Sequence, residues 1–282
     1  MKLQDQASRL RELVREARRT RTIAIASGKG GVGKTNVALG LSILMSAAGN
    51  RVALVDADLA LANLDVLCDV PVRGNLSHVV AGQRSLDEIL IDLPSGVQLV
   101  PGASGLSKVA DLSEFQRVRL LDDLTALEAE NDVIVIDCGA GIGPDVLQFA
   151  AGADNLLVMA TPEPTAITDS YAVIKVMSQR GYEGHVSLLV NLVANRHEGR
   201  TTYQRIASVA REFLGVTVWD AGFILTDAKV SQAVRQRKPF VLAYPRCTAS
   251  RCLAALATKL CAGGSLVERK EGFFRRVASW FG

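Results

Sequence analysis

From Thr22 onward, short apolar runs rich in β-branched residues alternate with stretches whose apolar positions recur every three or four residues. That alternation predicts strands feeding helices that cover them, as in a parallel α/β sheet. Strands are expected at Thr22–Ala26, Arg51–Val55, Val97–Val100, Asp132–Ile136, Asn155–Ala160, His185–Leu192, Val218–Ile224 and Phe240–Ala243. Val133-Ile134-Val135-Ile136 is apolar without alternation, the mark of a strand covered on both faces. Helices are expected at Thr35–Ala48, Ser113–Glu130, Thr168–Gln179, Thr201–Phe213, Ala228–Gln236 and Ala249–Cys261. The first stops at Gly49-Asn50, and Ser113 stands in capping-box spacing with Gln116. The predicted body, residues 22–262, is thus a mostly parallel twisted sheet with helices on both faces.

The two ends carry different patterns. Leu3, Ala7, Leu10, Val14 and Ala17 recur at alternating steps of four and three, one narrow apolar stripe on a helix over residues 3–17. Lys2, Arg9, Arg11, Arg15, Arg18 and Arg19 surround it, too many charges for deep burial. Residues 1–21 therefore read as a basic helix that docks on something, either the body or a separate protein. Beyond the linker Ala262-Gly263-Gly264-Ser265 a second short helix is expected over Gly272–Phe281. Its Phe273, Phe274, Val277, Ala278, Trp280 and Phe281 cover an arc of about 160°. Arg275, Arg276 and Ser279 lie opposite, which is the pattern of a helix lying on a membrane surface. The alternative is a terminal helix docked on the protein's own core.

Composition narrows the class. With 49% hydrophobic and 22% charged residues the chain is an ordinary globular one. The opening residues resemble no signal peptide, and no apolar run approaches the roughly 18–20 residues of a membrane span, so a cytoplasmic protein is expected. Five cysteines, with no C-x-x-C pair, read as reduced thiols; Cys247, Cys252 and Cys261 lack the spacing of a familiar zinc site and read better as small buried groups. The net charge of +3 is made of +4 in residues 1–21, +2 in residues 266–282 and −3 between them. A mildly acidic body with basic ends suits contact with an acidic partner or an anionic membrane, and no direct nucleic-acid binding is expected.

The chemistry sits in Gly28-Lys29-Gly30-Gly31-Val32-Gly33-Lys34-Thr35, which matches G-x-x-x-x-G-K-[ST] between an apolar strand and a helix. Glycines let the backbone turn its N–H groups onto phosphates, and the helix N-terminus adds the positive end of its dipole. Lys34 is placed to reach the β- and γ-phosphates and the Thr35 hydroxyl to ligate Mg²⁺. Asp137, at the end of the strand through Ile136, stands where a Mg²⁺ shell is expected beside such a loop. Asp56 and Asp58 follow the strand Arg51–Val55; taken alone, either acidic site could be a helix cap or turn residue, but together with the loop they point to the same chemistry. ATP and Mg²⁺ are the expected cofactors.

The second lysine changes the picture. Lys29-Gly30-Gly31-Val32-Gly33-Lys34-Thr35 resembles the deviant Walker A loop of the MinD/ParA family. The resemblance implies a nucleotide-sandwich homodimer in which Lys29 crosses to the partner's phosphates. Asp56-Ala57-Asp58-Leu59-Ala60-Leu61-Ala62-Asn63-Leu64-Asp65 looks like that family's D-x-D-x-x-x-x-N-x-D switch. By that likeness Asp58 activates the attacking water and Asp56 supports the Mg²⁺ water shell. Asp137-Cys138-Gly139-Ala140-Gly141 looks like its Walker B and second switch, with Cys138-Gly139 departing from the usual small or hydroxyl residues. Asn191 and Leu225-Thr226-Asp227 fall where the family contacts adenine, and no N-K-x-D guanine signature follows Asn191.

Thr161-Pro162-Glu163-Pro164-Thr165-Ala166-Ile167-Thr168-Asp169-Ser170-Tyr171 and Ala233-Val234-Arg235-Gln236-Arg237-Lys238-Pro239 are similar to segments of the family's FlhG/FleN branch, as are Ser27-Gly28 and Asn36 around the loop. Asp5-Gln6-Ala7-Ser8-Arg9-Leu10-Arg11 matches its D-Q-A-x-x-L-R motif. That likeness implies an ATPase governing flagellar number and placement, with Asp5, Gln6, Ala7, Leu10 and Arg11 activating an FlhF-type GTPase. Gln6 is the candidate for orienting water in the GTPase site. Further implied partners are flagellar basal-body or regulatory proteins and, in the ATP state, the inner face of the cell membrane. The rival readings are a MinD/ParA-type ATPase positioning the division site or partitioning DNA, disfavoured by the acidic body, and a P-loop adaptor without turnover, disfavoured by Lys34, Thr35, Asp58 and Asp137.

Overall fold

The computed structural model of the chain describes residues 20–58, 64–102, 114–262 and 272–278. Its elements run β1 (Arg21–Ser27), α1 (Lys34–Ala47), β2 (Val52–Ala57), α2 (Leu64–Cys68), α3 (Leu76–Val80), α4 (Leu86–Ile89), β3 (Ile91–Asp92) and β4 (Val97–Val100). There follow α5 (Glu114–Glu130), β5 (Val133–Ala140), α6 (Pro144–Gly152), β6 (Asn155–Ala160), α7 (Pro164–Gln179), β7 (His185–Val193) and α8 (Arg196–Leu214). The chain closes with β8 (Val218–Leu225), α9 (Ala228–Arg235), α10 (Phe240–Ala243), α11 (Thr248–Ala262) and α12 (Phe273–Ala278). Among these residues the strands form one eight-stranded sheet in the order β3-β4-β2-β5-β1-β6-β7-β8. Every pairing is parallel except β3 with β4.

The period of two along the strands divides the interior. In β1, Ala24 and Ala26 point into one apolar cluster with Ile134, Ile136, Phe149 and Val173. Ile23 and Ile25 point into the other, with Leu39, Leu41, Leu253 and Leu256 of α1 and α11. The central strands β1, β2 and β5 are buried on both faces, which is why their sequences show unbroken apolar runs. The order reverses beside β1, so the carboxyl ends of β1, β2 and β5 open together onto one crevice, the usual ligand position in such sheets.

Phe240–Ala243 is not a strand but the short helix α10. Pro239 has no N–H for a ladder, and its carbonyl instead accepts the Leu242 and Ala243 amides at 3.0 Å, starting a helical turn. Four apolar residues are too few to show a period. The short helices α2, α3 and α4, the two-residue β3 and the helix α6 are absent from the pattern-based expectation. Local signals for three of them exist: Pro144 at the start of α6, and the Asn75–His78 and Ser85–Glu88 capping boxes. Ser113, the expected cap of α5, lies outside the described residues.

Candidate functional site

The loop between β1 and α1 holds its shape through a few identifiable contacts. Gly31 and Gly33 take φ values of 78° and 90°, the left-handed region that glycine adopts without strain. The Ser27 hydroxyl donates to the Lys29 carbonyl at 2.7 Å, and the Asn191 amide donates to the Val32 carbonyl at 2.8 Å. A Cβ on Gly28 would stand 2.2 Å from the Asp169 carbonyl, so α7 packs directly on the loop's first residue. Val32 is buried, Gly30 and Gly31 are exposed, and Asn36 lies half-buried in the first turn of α1. Ser27 and Asp169 were not singled out from the sequence as shaping the loop. The signal for the second was the Thr161–Tyr171 segment.

The two lysines occupy opposite environments. Lys34 is 8% exposed and lies within electrostatic reach of Asp137. Lys29 stays at the surface, its ammonium 2.7 Å from Glu163 and 3.3 Å from the Thr165 hydroxyl. Hydrogen bonding to Glu163, then that residue's charge, raises the Lys29 pKa. One lysine is thus built into its own loop, while the other is a mobile-length side chain parked on its own α7.

Three carboxylates meet at the ends of β2 and β5. Asp56 and Asp137 are register partners across those strands. Burial, then the charge of Asp137, pushes Asp56 up to about 7. Burial also pushes Asp137 up to about 6, against the opposing effects of the Thr35 hydroxyl bonded to it and of Lys34. One Asp137 oxygen, Oδ1, is buried with no hydrogen-bond partner among the described residues. Asp58 follows, its amide on the Asp56 carboxylate at 3.2 Å and its own carboxylate 3.6 Å from where a Gly139 Cβ would stand. Buried acids facing one another with a free oxygen beside Thr35 fit a divalent cation that neutralises them. Among the described residues no three His, Cys, Asp or Glu side chains are gathered closely enough to hold a metal alone.

Asn191 is 7% exposed beside the loop, with its amide committed to Val32. Asp227 accepts the Lys229 amide at 2.9 Å and the Ala249 amide at 3.2 Å, so its two oxygens cap α9 and α11. The geometry makes Asp227 a loop-shaping residue, with Thr226 exposed next to it. The five cysteines are free thiols.

The C-terminal helix departs from expectation. Phe273, Phe274 and Val277, read as lipid-facing, are 0%, 1% and 2% exposed and belong to the main apolar cluster, between α5 and α6. The Glu128 carboxylate accepts the Phe273 and Phe274 amides at 2.9 and 3.4 Å, capping a helix start that lacks its own acceptor. Arg276 donates to the Gly152 carbonyl at 2.7 Å and to Asp154 at 2.9 Å. Asp154 also holds the amide and hydroxyl of Thr22, at 3.1 and 2.7 Å. An apolar stripe requires cover, and here the protein's own core supplies it. Trp280 and Phe281, and Asp5, Gln6, Ala7, Leu10 and Arg11 at the other end, lie outside the described residues. No described helix is long and apolar enough to cross a membrane.

Comparison with known proteins agrees with this geometry. The pattern of the CobQ/CobB/MinD/ParA nucleotide binding domain matches residues 23–240. The antiactivator FleN of Pseudomonas aeruginosa is 37% identical over 238 residues, 84% of this chain and 85% of FleN. The flagellum site-determining protein YlxH of Helicobacter pylori is 35% identical over 270 residues, 93% of this chain and 91% of YlxH. The septum site-determining protein MinD of Pyrococcus horikoshii, solved with Mg-ADP, shares the fold at a TM-score of 0.70 and 24% identity, over 86% of this chain and 96% of that one. The chain therefore belongs to the CobQ/CobB/MinD/ParA nucleotide-binding family, in its MinD-like FlhG/FleN branch.

Proposed function

We propose that the chain is an ATP-driven dimerisation switch that governs flagellar number and placement. The observation that carries the reading is the contrast between buried Lys34 and surface Lys29 on one phosphate loop. Lys34 and the loop N–H groups hold the β- and γ-phosphates. Mg²⁺, held by Thr35 and Asp137 with Asp56 behind its water shell, would neutralise charge on the phosphates. Asp58 orients the water that attacks the γ-phosphorus, giving ADP and phosphate. Lys29 exchanges Glu163 for the phosphates of a second copy, so each site is complete only in the dimer.

Attachment to an anionic membrane surface then requires α12 to leave its groove, since its apolar face cannot serve core and lipid together. Two released helices in one dimer gain effective concentration, which makes attachment follow the nucleotide. The names of the relatives FleN and YlxH support flagellar placement, and the D-Q-A-x-x-L-R match supports stimulation of an FlhF-type GTPase, with basal-body or regulatory proteins as further partners. Sedimentation with ADP and with ATP tests the switch. Asp58→Ala is expected to accumulate as dimer with ATP and Lys29→Ala to stay monomeric. A Lys29→Ala protein that dimerises like wild type refutes the crossed-lysine reading.

A further inference from the structure

A groove of about 350 Å³ runs between α4 and α5. Leu86, Leu90 and Leu127 form its apolar floor, and Asp87, Asp123 and Glu130 its acidic rim. Nothing in the nucleotide chemistry uses it. Glu130 ends α5, and the described chain begins at that same end: the Thr20 hydroxyl donates to the Glu128 carbonyl and, at 2.8 Å, to the Asn131 carbonyl. The Arg21 amide continues onto the Asp132 carbonyl at 3.1 Å. The described chain therefore begins within a residue or two of the groove's acidic mouth.

The preceding segment has the matching chemistry. On a helix at 100° per residue, Arg11 and Arg18 lie about 60–80° from the centre of the Leu3, Ala7, Leu10, Val14, Ala17 stripe. Asp5, Glu12 and Glu16 fall on the opposite side of that helix, away from any surface the stripe would meet. Arg11 and Arg18 are seven residues apart, as are Asp123 and Glu130, so both pairs repeat at roughly 10.5 Å along their axes. An alternating four-three stripe is the spacing that packs against one neighbouring helix. The part of the body that offers this neighbour is the acidic one: residues 22–195 carry twenty Asp and Glu against ten Lys and Arg.

We propose that the chain's own N-terminal segment docks in this groove as a helix parallel to α5. Arg18 faces Glu130, Arg11 faces Asp123, and Leu10, Val14 and Ala17 cover Leu86, Leu90 and Leu127. Docking hides the stripe and the D-Q-A-x-x-L-R residues on it, so the segment meets another protein only when displaced. The inference needs neither nucleotide nor GTPase, and it stands or falls apart from the ATP switch.

Hydrogen exchange of the full-length protein at low salt tests it, following the amides of residues 7–17. The expected result is at least tenfold slower exchange than for the same segment in Asp123→Lys/Glu130→Lys. Adding Arg11→Glu/Arg18→Glu to that variant is expected to restore the protection. Both acids lie on the solvent side of α5 and the groove rim, so the body's melting temperature serves as the control for folding. Equal exchange in wild type and the reversed variant overturns the docking. Failure of the fourfold swap to restore protection overturns the pairing. Protection that rises with protein concentration overturns it in favour of a second copy as the occupant.

Discussion

Asp154→Asn is the sharpest perturbation of the C-terminal latch, because it leaves the sequence of α12 unchanged. Asp154 and Arg276 are 9% and 12% exposed at their side chains, 2.9 Å apart. The carboxylate serves three donors: the Thr22 amide, the Thr22 hydroxyl and Arg276. An asparagine can turn its oxygen toward Thr22 or toward Arg276, and either choice sets its NH₂ against a donor. Breaking one side of a buried ion pair costs roughly 3–5 kcal/mol. Thr22 retains one acceptor, so about 2–3 kcal/mol is expected to fall on docking, a roughly 30- to 150-fold shift toward the undocked helix. Hydrogen exchange at residues 273–278 reads this directly, as protection lost by that factor relative to the strands. Pelleting with anionic vesicles should then rise in ADP, where the wild type stays free. Exchange at 273–278 within threefold of wild type refutes the argument that Asp154 holds the helix.

Three further outcomes follow from the same contacts. Phe274→Glu should abolish both the protection of 273–278 and vesicle pelleting, with ATP binding intact, whereas pelleting that persists removes this face from membrane attachment. Gly28→Ala should abolish nucleotide binding or lower the melting temperature, since its Cβ has no room beside the Asp169 carbonyl; unchanged ATP affinity and stability would show that α7 yields easily. Asp56 and Asp137 are raised to about 7 and about 6, so the stability they contribute is present below about pH 4 and lost as pH rises through 6–7. The metal-free, nucleotide-free protein should accordingly melt higher near about pH 5.5 than near about pH 8, and Mg-ATP should narrow the gap. A reversed order in calorimetry would mean that these acids are not buried against each other.

Much of the site was legible because it is contiguous. Gly28 to Thr35 states its own conformation through glycine spacing, and Val133–Asp137 states a buried strand ending in an acid. Both depend on neighbours in sequence, where steric and capping rules act without knowledge of the fold. Glu163 and Asp169 became interpretable only once β1, β6 and α7 converged, since their contacts with the loop lie between distant positions. Phe240–Ala243 was too short to declare its period, and the proline before it decided. The ends show the limit most clearly. The stripe on Phe273, Phe274 and Val277 determined that one face of α12 must be covered, but an apolar face gains much the same from lipid tails as from leucine and phenylalanine. What covers it depended on Glu128, Gly152 and Asp154, which sit some 120 to 150 positions earlier and meet α12 only after the sheet has formed. Hydrophobicity is non-directional, so it sets how much surface is buried; the choice of partner rests with directional hydrogen bonds that only the tertiary structure brings into range.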